Sequence, residues 1–408
     1  MSHMKQNWKK NTILFLTSQN ISLLGSMLVQ YAITWYITLK TQSGIMMTIS
    51  IICGFLPTFF ISPFAGVWAD RYDRKLLIIL LDSLIAVSTF IMAILFIMGY
   101  GSIWMLFVVS AVRAIGEGVQ MPSVGAFLPA IVPMDKLTRV NGINSSIQSL
   151  VTLVSPMLSG VMLTVAAIEA VFFVDVVTAA VAVSIMILFL HVPAHGKALQ
   201  DQKLNYLGDM YEGIKYIKNH NFIKTLFIFC AVYFILIAPL AFLTPLQVAR
   251  SFGNDVWRLT IIEVVYALGM MLGGLIMASW GGLKNKLHTM VLSTFVIAVS
   301  TFALGLIHVF WIYTFMMGII GLVLPVFNTP FTVLLQQKVE ADFLGRVFGV
   351  LTMISSSIMP LAMIGYGPAA DFIKIEWLLL VTGLLMLVQS FVMLKNKVLF
   401  EAGKPMEE

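Results

Sequence analysis

The chain has 408 residues, of which 59% are hydrophobic and only 11% charged, with a mean hydropathy of +0.95. That ratio excludes a soluble globular protein, because too few polar side chains exist to cover so large an apolar surface, and it makes lipid the solvent. The net charge of +6 reads as membrane topology and contact with anionic lipid, with no nucleic acid as partner.

A membrane-spanning helix needs about 20 mostly apolar residues. Twelve stretches qualify: 12–39, 46–68, 76–98, 103–126, 140–166, 170–190, 222–248, 259–280, 287–307, 309–335, 347–366 and 377–394. Lys and Arg gather in short cytoplasmic loops. With both termini cytoplasmic, 20 of the 25 basic residues fall on that side, including Arg71, Arg74, Lys75, Lys136, Arg139, Lys338 and Arg346. Lys40, Arg250, Arg258 and Lys374 fall outside, and Arg113 is left within a span. The first apolar segment is too long for a cleavable signal peptide and lacks a small-residue cleavage site. Cys53 and Cys230 lie in spans and indicate packing, not a disulfide framework.

In the first span Gln19, Ser22, Ser26 and Gln30 recur at helical spacing, and in the fifth Asn141, Asn144, Gln148, Thr152, Ser155 and Ser159 do the same. Such stripes avoid lipid, either as hydrogen-bonded seams between helices or as the lining of a wet path. The amides Gln19, Gln30, Asn144 and Gln148 favour the path, and the small residues the seam. Between the second and third spans runs Gly66-Val67-Trp68-Ala69-Asp70-Arg71-Tyr72-Asp73-Arg74-Lys75, rich in glycine and charge. Asp82, one or two turns inside the third span, reads as facing this loop.

Arg113 lies about ten residues into the fourth span, roughly 15 Å deep. Glu117 and Gln120 follow on the same helix face. An ionisable group at that depth faces a partner or a wet cavity. Either these residues form the charged wall of a transport cavity or they form a locked ion pair. Asp175 in the sixth span and Glu263 near the outer end of the eighth are further acids suited to proton exchange or to structural pairing.

The polar stretch from 191 to 221 divides the spans six and six. The expected organisation is an N-terminal bundle over 1–190, a cytoplasmic linker over 191–221, a C-terminal bundle over 222–395 and a cytoplasmic tail over 396–408. Within the linker Leu207, Met210, Tyr211, Ile214 and Ile217 oppose Asp209, Glu212, Lys215 and Lys218, as in an amphipathic helix on the membrane face. The halves echo each other. Val132-x-x-Asp135-x-Leu137-x-Arg139-Val140-x-Gly142 recurs 207 residues later as Val339-x-x-Asp342-x-Leu344-x-Arg346-Val347-x-Gly349. The loop motif has a weaker echo in Trp280-Gly281-Gly282-Leu283-Lys284-Asn285-Lys286, which lacks the counterpart of Asp70. Related halves imply alternating access about a central site.

No phosphate-binding Gly-x-x-x-x-Gly-Lys-Ser/Thr loop, His-Glu-x-x-His, paired Cys-x-x-Cys or Gly-x-Ser-x-Gly occurs. The expectation is no enzyme, no cofactor, no metal and no catalytic residue, with transport drawing on an ion gradient.

The Gly-x-x-x-Asp-Arg-x-x-Arg-Lys spacing resembles the loop between the second and third spans of the major facilitator superfamily. Arg113-x-x-Gly116 resembles that family's drug:proton motif. Ser155-Pro156-x-x-Ser159-Gly160 resembles its antiporter motif, with Ser at two positions usually held by Gly. Gly54-Phe55-Leu56-Pro57, Asp70 to Lys75 and Leu344-Gly345-Arg346-Val347-Phe348 are similar to bacterial macrolide-efflux members, in which acids also stand where Asp175 and Glu263 lie. The resemblance implies an all-α integral membrane protein, with twelve spans in two pseudo-symmetric six-helix bundles. It further implies a monomer in the bacterial plasma membrane, exporting a small lipophilic drug against protons. Arg113, with Asp175 and Glu263, would serve proton coupling, and Gly66, Asp70, Arg71, Arg74 and Lys75 a cytoplasmic gate. Glu117 is not carried over from the family and stands as a coupling acid on its burial alone. With Gln19, Gln30, Gln120, Asn144 and Gln148 it forms the expected substrate site, where a negative group suits a cationic substrate. Alternatives are export of tetracycline or of an endogenous metabolite such as a siderophore, or a non-transporting membrane sensor.

Overall fold

The computed structural model describes residues 8–190 and 206–404, and among these every regular element is an α-helix. In hydrocarbon a chain can satisfy its backbone donors and acceptors only internally, so long apolar runs fold as helices. Twelve helices are long and apolar enough to cross a bilayer. They are α1 (Trp8–Thr41), α2 (Gly44–Arg71), α3 (Arg74–Ile97), α4 (Ile103–Ile131), α5 (Met134–Val165) and α6 (Ile168–Leu188) in the first half. After the short α7 (Tyr206–Asn219) follow α8 (Asn221–Ser251), α9 (Val256–Trp280), α10 (Lys286–Leu304), α11 (Phe310–Lys338), α12 (Ala341–Phe372) and α13 (Ile375–Lys395), then α14 (Lys397–Ala402). The repeat read in the sequence governs element boundaries: α12 starts and ends 207 residues after α5, 134 against 341 and 165 against 372.

The chain divides into two compact units, one of residues up to 37 and 49–204, the other of 38–48 and 205 onward. In the first unit α3 packs on α4 and α6, and α5 on α6. At the loop end of this unit Phe15, Ile78, Phe127, Leu128, Ile131, Met186 and Leu190 form a buried apolar cluster. The basic residues of the loop fasten helix ends around it. Arg74 donates to the Ala126 carbonyl at 2.9 Å and Lys75 to the Leu190 carbonyl at 2.7 Å. Asp73 caps α3 by accepting from the Leu76 amide.

In the second unit α9 packs on α11, α10 on α11 and α13, and α8 on α12 and α13. Gly269 and Gly273 lie against the α11 backbone at Gly318 and Leu322, with no room for a Cβ. This is the small-residue contact that lets membrane helices approach closely. The α1–α2 connection belongs to this unit. Asp371 of α12 accepts from the Gly44 and Ile45 amides and the Ser43 hydroxyl, and Arg250 of α8 donates to it at 2.8 Å. A carboxylate from one helix thus caps the N-terminus of another, where unpaired amides and the helix dipole favour negative charge.

The amphipathic segment of the linker forms α7, packed on α12. Tyr216 stacks between His220 and Phe343 and accepts from the Glu340 amide, and Arg346 pairs with Glu212 at 3.0 Å. Tyr216 and Ile217 are buried there while Ile214 is exposed; the side chains of Leu207, Asp209, Met210 and Tyr211 lie outside the described residues. In the echo of the loop motif, Asn285 caps α10 as Asp73 caps α3, and its amide donates to Phe400 of α14. Cys53 is partly buried and Cys230 buried, and both are free thiols.

Candidate functional site

The site is a run of buried charge in the first unit. Arg113 lies ten residues into α4 with 2% of its side chain exposed, and Asp175 of α6 with 1%. An Arg113 Nη donates to Asp175 Oδ2 at 2.6 Å and to the Thr89 hydroxyl of α3 at 2.7 Å; the other donates to the Ser26 carbonyl of α1 at 3.2 Å. Four helices therefore meet on one guanidinium. Gly25 makes this possible, since a Cβ there would collide with Thr178 and crowd the Asp175 backbone. The buried Arg113 Nε has no hydrogen-bond partner among the described residues.

The i+4 spacing put Glu117 on the face of Arg113, yet the ion-pair partner is Asp175, 62 residues away in sequence. Glu117 is half-buried and within electrostatic reach of both Arg113 and Asp175. No hydrogen bond holds its carboxylate among the described residues, which leaves it the less constrained of the acids beside Arg113.

Asp82 corrects the sequence reading that aimed it at the loop. It is 2% exposed and turned into the unit. Its Oδ1 accepts from the Ser22 hydroxyl of α1 and from Gln120 Nε2 of α4, both at 2.7 Å, while Oδ2 is buried without a partner. Gln120 thus belongs both to the Arg113 and Glu117 face and to the Asp82 site. Sequence reasoning missed Asp82, Thr89 and the Ser26 carbonyl as members. The available signal was Asp82 itself, a lone acid inside an apolar span.

The polar stripes of α1 and α5 separate by side-chain size. Ser22, Ser155 and Ser159 are buried, and Ser159 donates across to the Leu28 carbonyl at 3.1 Å, as in a seam. Pro156 and Gly160 are buried beside them. The amides behave differently. Gln30 and Gln148 are exposed, Gln19 is half-buried with its amide 3.4 Å from the Met186 sulfur, and Asn144 accepts from Asn20 at 3.2 Å. Asn141 is exposed and Thr152 half-buried. Of the expected gate residues, Arg74 and Lys75 make the contacts given above, whereas the side chains of Gly66, Asp70 and Arg71 lie outside the described residues. Glu263 stands apart in the second unit, half-buried on α9 one turn before Tyr266. Among the described residues no group of three or more His, Cys, Asp or Glu side chains is placed to hold a metal ion.

Comparison with known proteins agrees with the architecture. Residues 13–363 match the family model for the Major Facilitator Superfamily. Macrolide efflux protein A of Streptococcus pyogenes is 30% identical over 388 residues, which cover 95% of this chain and 96% of that protein. The protein of the same name from Enterococcus faecalis is 29% identical over 323 residues, 79% of this chain and 99% of that one. Among solved structures, a variant of the nucleoside transporter NupG shares the fold with a TM-score of 0.70 at 15% identity, covering 95% of this chain and 99% of that one.

Proposed function

The chain belongs to the major facilitator superfamily, a family of multi-pass membrane transporters and not of enzymes, and on that premise we propose that it exports lipophilic, cationic drugs of the macrolide kind in exchange for protons. The observation that carries this reading is the enclosed charge around Arg113. One guanidinium shares a buried space with the carboxyls of Asp175, Asp82 and Glu117. Burying charge in hydrocarbon is costly, and families retain it in membrane segments where ions or protons move. The macrolide efflux relatives supply the substrate class.

In this reading the end bearing Arg74 and Lys75 faces the cytoplasm, by the distribution of basic residues, and the Asp70 to Lys75 loop gates that side. Both termini are cytoplasmic, the membrane is the bacterial plasma membrane and the transporter acts as a monomer. The two six-helix halves alternate access to a site near the bilayer midplane. Gln30 and Gln148, exposed amides of the two polar stripes, line the substrate path together with Gln19, Gln120 and Asn144. Glu117 offers the negative charge that a cationic amphiphile needs, and release of substrate is coupled to its protonation. Asp175 keeps Arg113 charged and oriented, and Glu263 is a second acid on the other half's route.

Accumulation of radiolabelled erythromycin in a susceptible bacterium tests the proposal. Cells expressing the chain should retain less drug than control cells, and a protonophore should abolish the difference. Equal accumulation in both would refute macrolide export, and a difference that survives the protonophore would refute proton coupling.

A further inference from the structure

We propose that Asp82 is a second proton-binding carboxyl of the exchange beside Glu117, taking up and releasing a driving proton at its unpartnered Oδ2, next to Ser22 and Gln120. The proposal rests on the antiport reading above and names a residue that neither the family motifs nor the sequence pattern selected.

Among the described residues the first unit buries one guanidinium, Arg113, and the carboxyls of Asp82 and Asp175, with the half-buried carboxyl of Glu117 beside them. Asp175 touches Arg113 at 2.6 Å and neutralises it. Two further negative charges without cations would be prohibitive in so dry a place. A proton is the remaining way to neutralise each of the other two carboxyls.

Asp82 has the geometry of a carboxyl made to hold one. The Ser22 hydroxyl and the Gln120 amide donate to Oδ1, each at 2.7 Å, and the Gln19 amide lies close by, so all three groups about this carboxyl are neutral donors. They can stay in place whether or not Oδ2 carries hydrogen, so protonation needs no rearrangement. Oδ2 itself has no partner among the described residues, although the side chain is only 2% exposed. Among the described residues the charge of Asp175 on α6 reaches Asp82, α1 contributes Ser22 and Gln19, and the charged residues of α4, Glu117 and Arg113, make no hydrogen bond to it. Arg113 already holds Asp175, Thr89 and the Ser26 carbonyl and makes no bond to Asp82.

Asp82 lies eight residues after Arg74, about 12 Å from the basic end of α3. Its partner Gln120 shares a helix face with Glu117 and Arg113. The reaction is a simple equilibrium: the carboxylate gains a proton at Oδ2 to become the neutral acid and later gives the same proton back, with no other bond made or broken and no electron transferred.

Two measurements on the full-length purified protein test this. In infrared difference spectra recorded across a pH titration, the wild type should show a carbonyl band of a buried protonated carboxyl. The component of the band contributed by Asp82 should vanish in Asp82→Asn and persist in Glu117→Gln. A band unchanged by Asp82→Asn overturns the assignment. Should Asp82→Asn not fold, Ser22→Ala serves instead, because it removes a donor from the same carboxyl and should displace the band's midpoint by about 0.5 pH unit or more; an unmoved midpoint overturns the assignment equally. In inverted vesicles, uptake of radiolabelled erythromycin driven by a pH gradient should fall roughly tenfold in Asp82→Asn, while exchange of labelled for unlabelled drug without a gradient continues. Wild-type vesicles indifferent to the gradient would sink the antiport reading. Wild-type and Asp82→Asn vesicles that respond alike would sink only the Asp82 assignment.

Discussion

Arg113 and Asp175, on α4 and α6, form a 2.6 Å ion pair with almost no solvent exposure on either side chain. In such a place the pair's attraction is offset by the cost of stripping water from both groups, so its net contribution to stability is small, yet removing one member strands the other. Arg113→Ala should therefore lower stability in detergent by about 3–5 kcal/mol. The double variant Arg113→Ala with Asp175→Ala should regain most of that loss without regaining transport. Thermal unfolding of the three proteins, followed by tryptophan fluorescence, checks the first part. A double variant no more stable than the single would mean that the pair contributes by packing alone.

Glu117 sits beside this pair without a hydrogen bond of its own, so its loss should spare the fold. Glu117→Gln is expected to keep wild-type yield and melting temperature and to abolish gradient-driven efflux. Drug accumulation in cells indistinguishable from wild type would remove Glu117 from the mechanism.

The capping of α2 by Asp371 should show as stability and not as coupling. Asp371→Ala deprives the Gly44 and Ile45 amides and the Ser43 hydroxyl of their acceptor, and a lost helix cap costs about 0.5–2 kcal/mol. Asp371→Asn retains an acceptor oxygen and should recover about half of the loss. Equal melting temperatures for Asp371→Ala and the wild type would show that water replaces the cap.

Gln30 and Gln148 are exposed amides on the helices whose Ser22, Ser155 and Ser159 are buried. Gln30→Leu and Gln148→Leu should raise the drug concentration for half-maximal efflux severalfold and alter the rank order of substrates, with protein yield unchanged. Ser159→Ala, by contrast, removes a seam bond to the Leu28 carbonyl and should lower stability by about 0.5–1.5 kcal/mol while leaving that rank order intact.

The twelve spanning helices and the 207-residue repeat were legible because both rest on periodicity and length, which are properties of one segment at a time. Arg113 was legible for the same reason, as a charge too deep in an apolar run to be idle. Its partner was not. Spacing along α4 pointed to Glu117, because a single helix reveals which residues share a face but not which other helix that face meets. Asp82 was misdirected likewise: its distance from the loop was readable, its rotation toward Ser22 and Gln120 was not. The two polar stripes looked alike until packing separated the buried serines from the exposed glutamines. Asp371 carried no signal at all, since a helix cap supplied from a distant helix leaves no trace in local spacing.

The central claim is that drug moves out as protons move in. Uptake into inverted membrane vesicles, measured with and without an imposed acid-inside pH gradient across a panel that includes erythromycin, tetracycline and a siderophore, tests it most directly. The account predicts erythromycin uptake that appears with the gradient, collapses with a protonophore and exceeds uptake of the other two. Erythromycin uptake of the same size with and without the gradient, or none at all beside brisk transport of tetracycline or the siderophore, would contradict it.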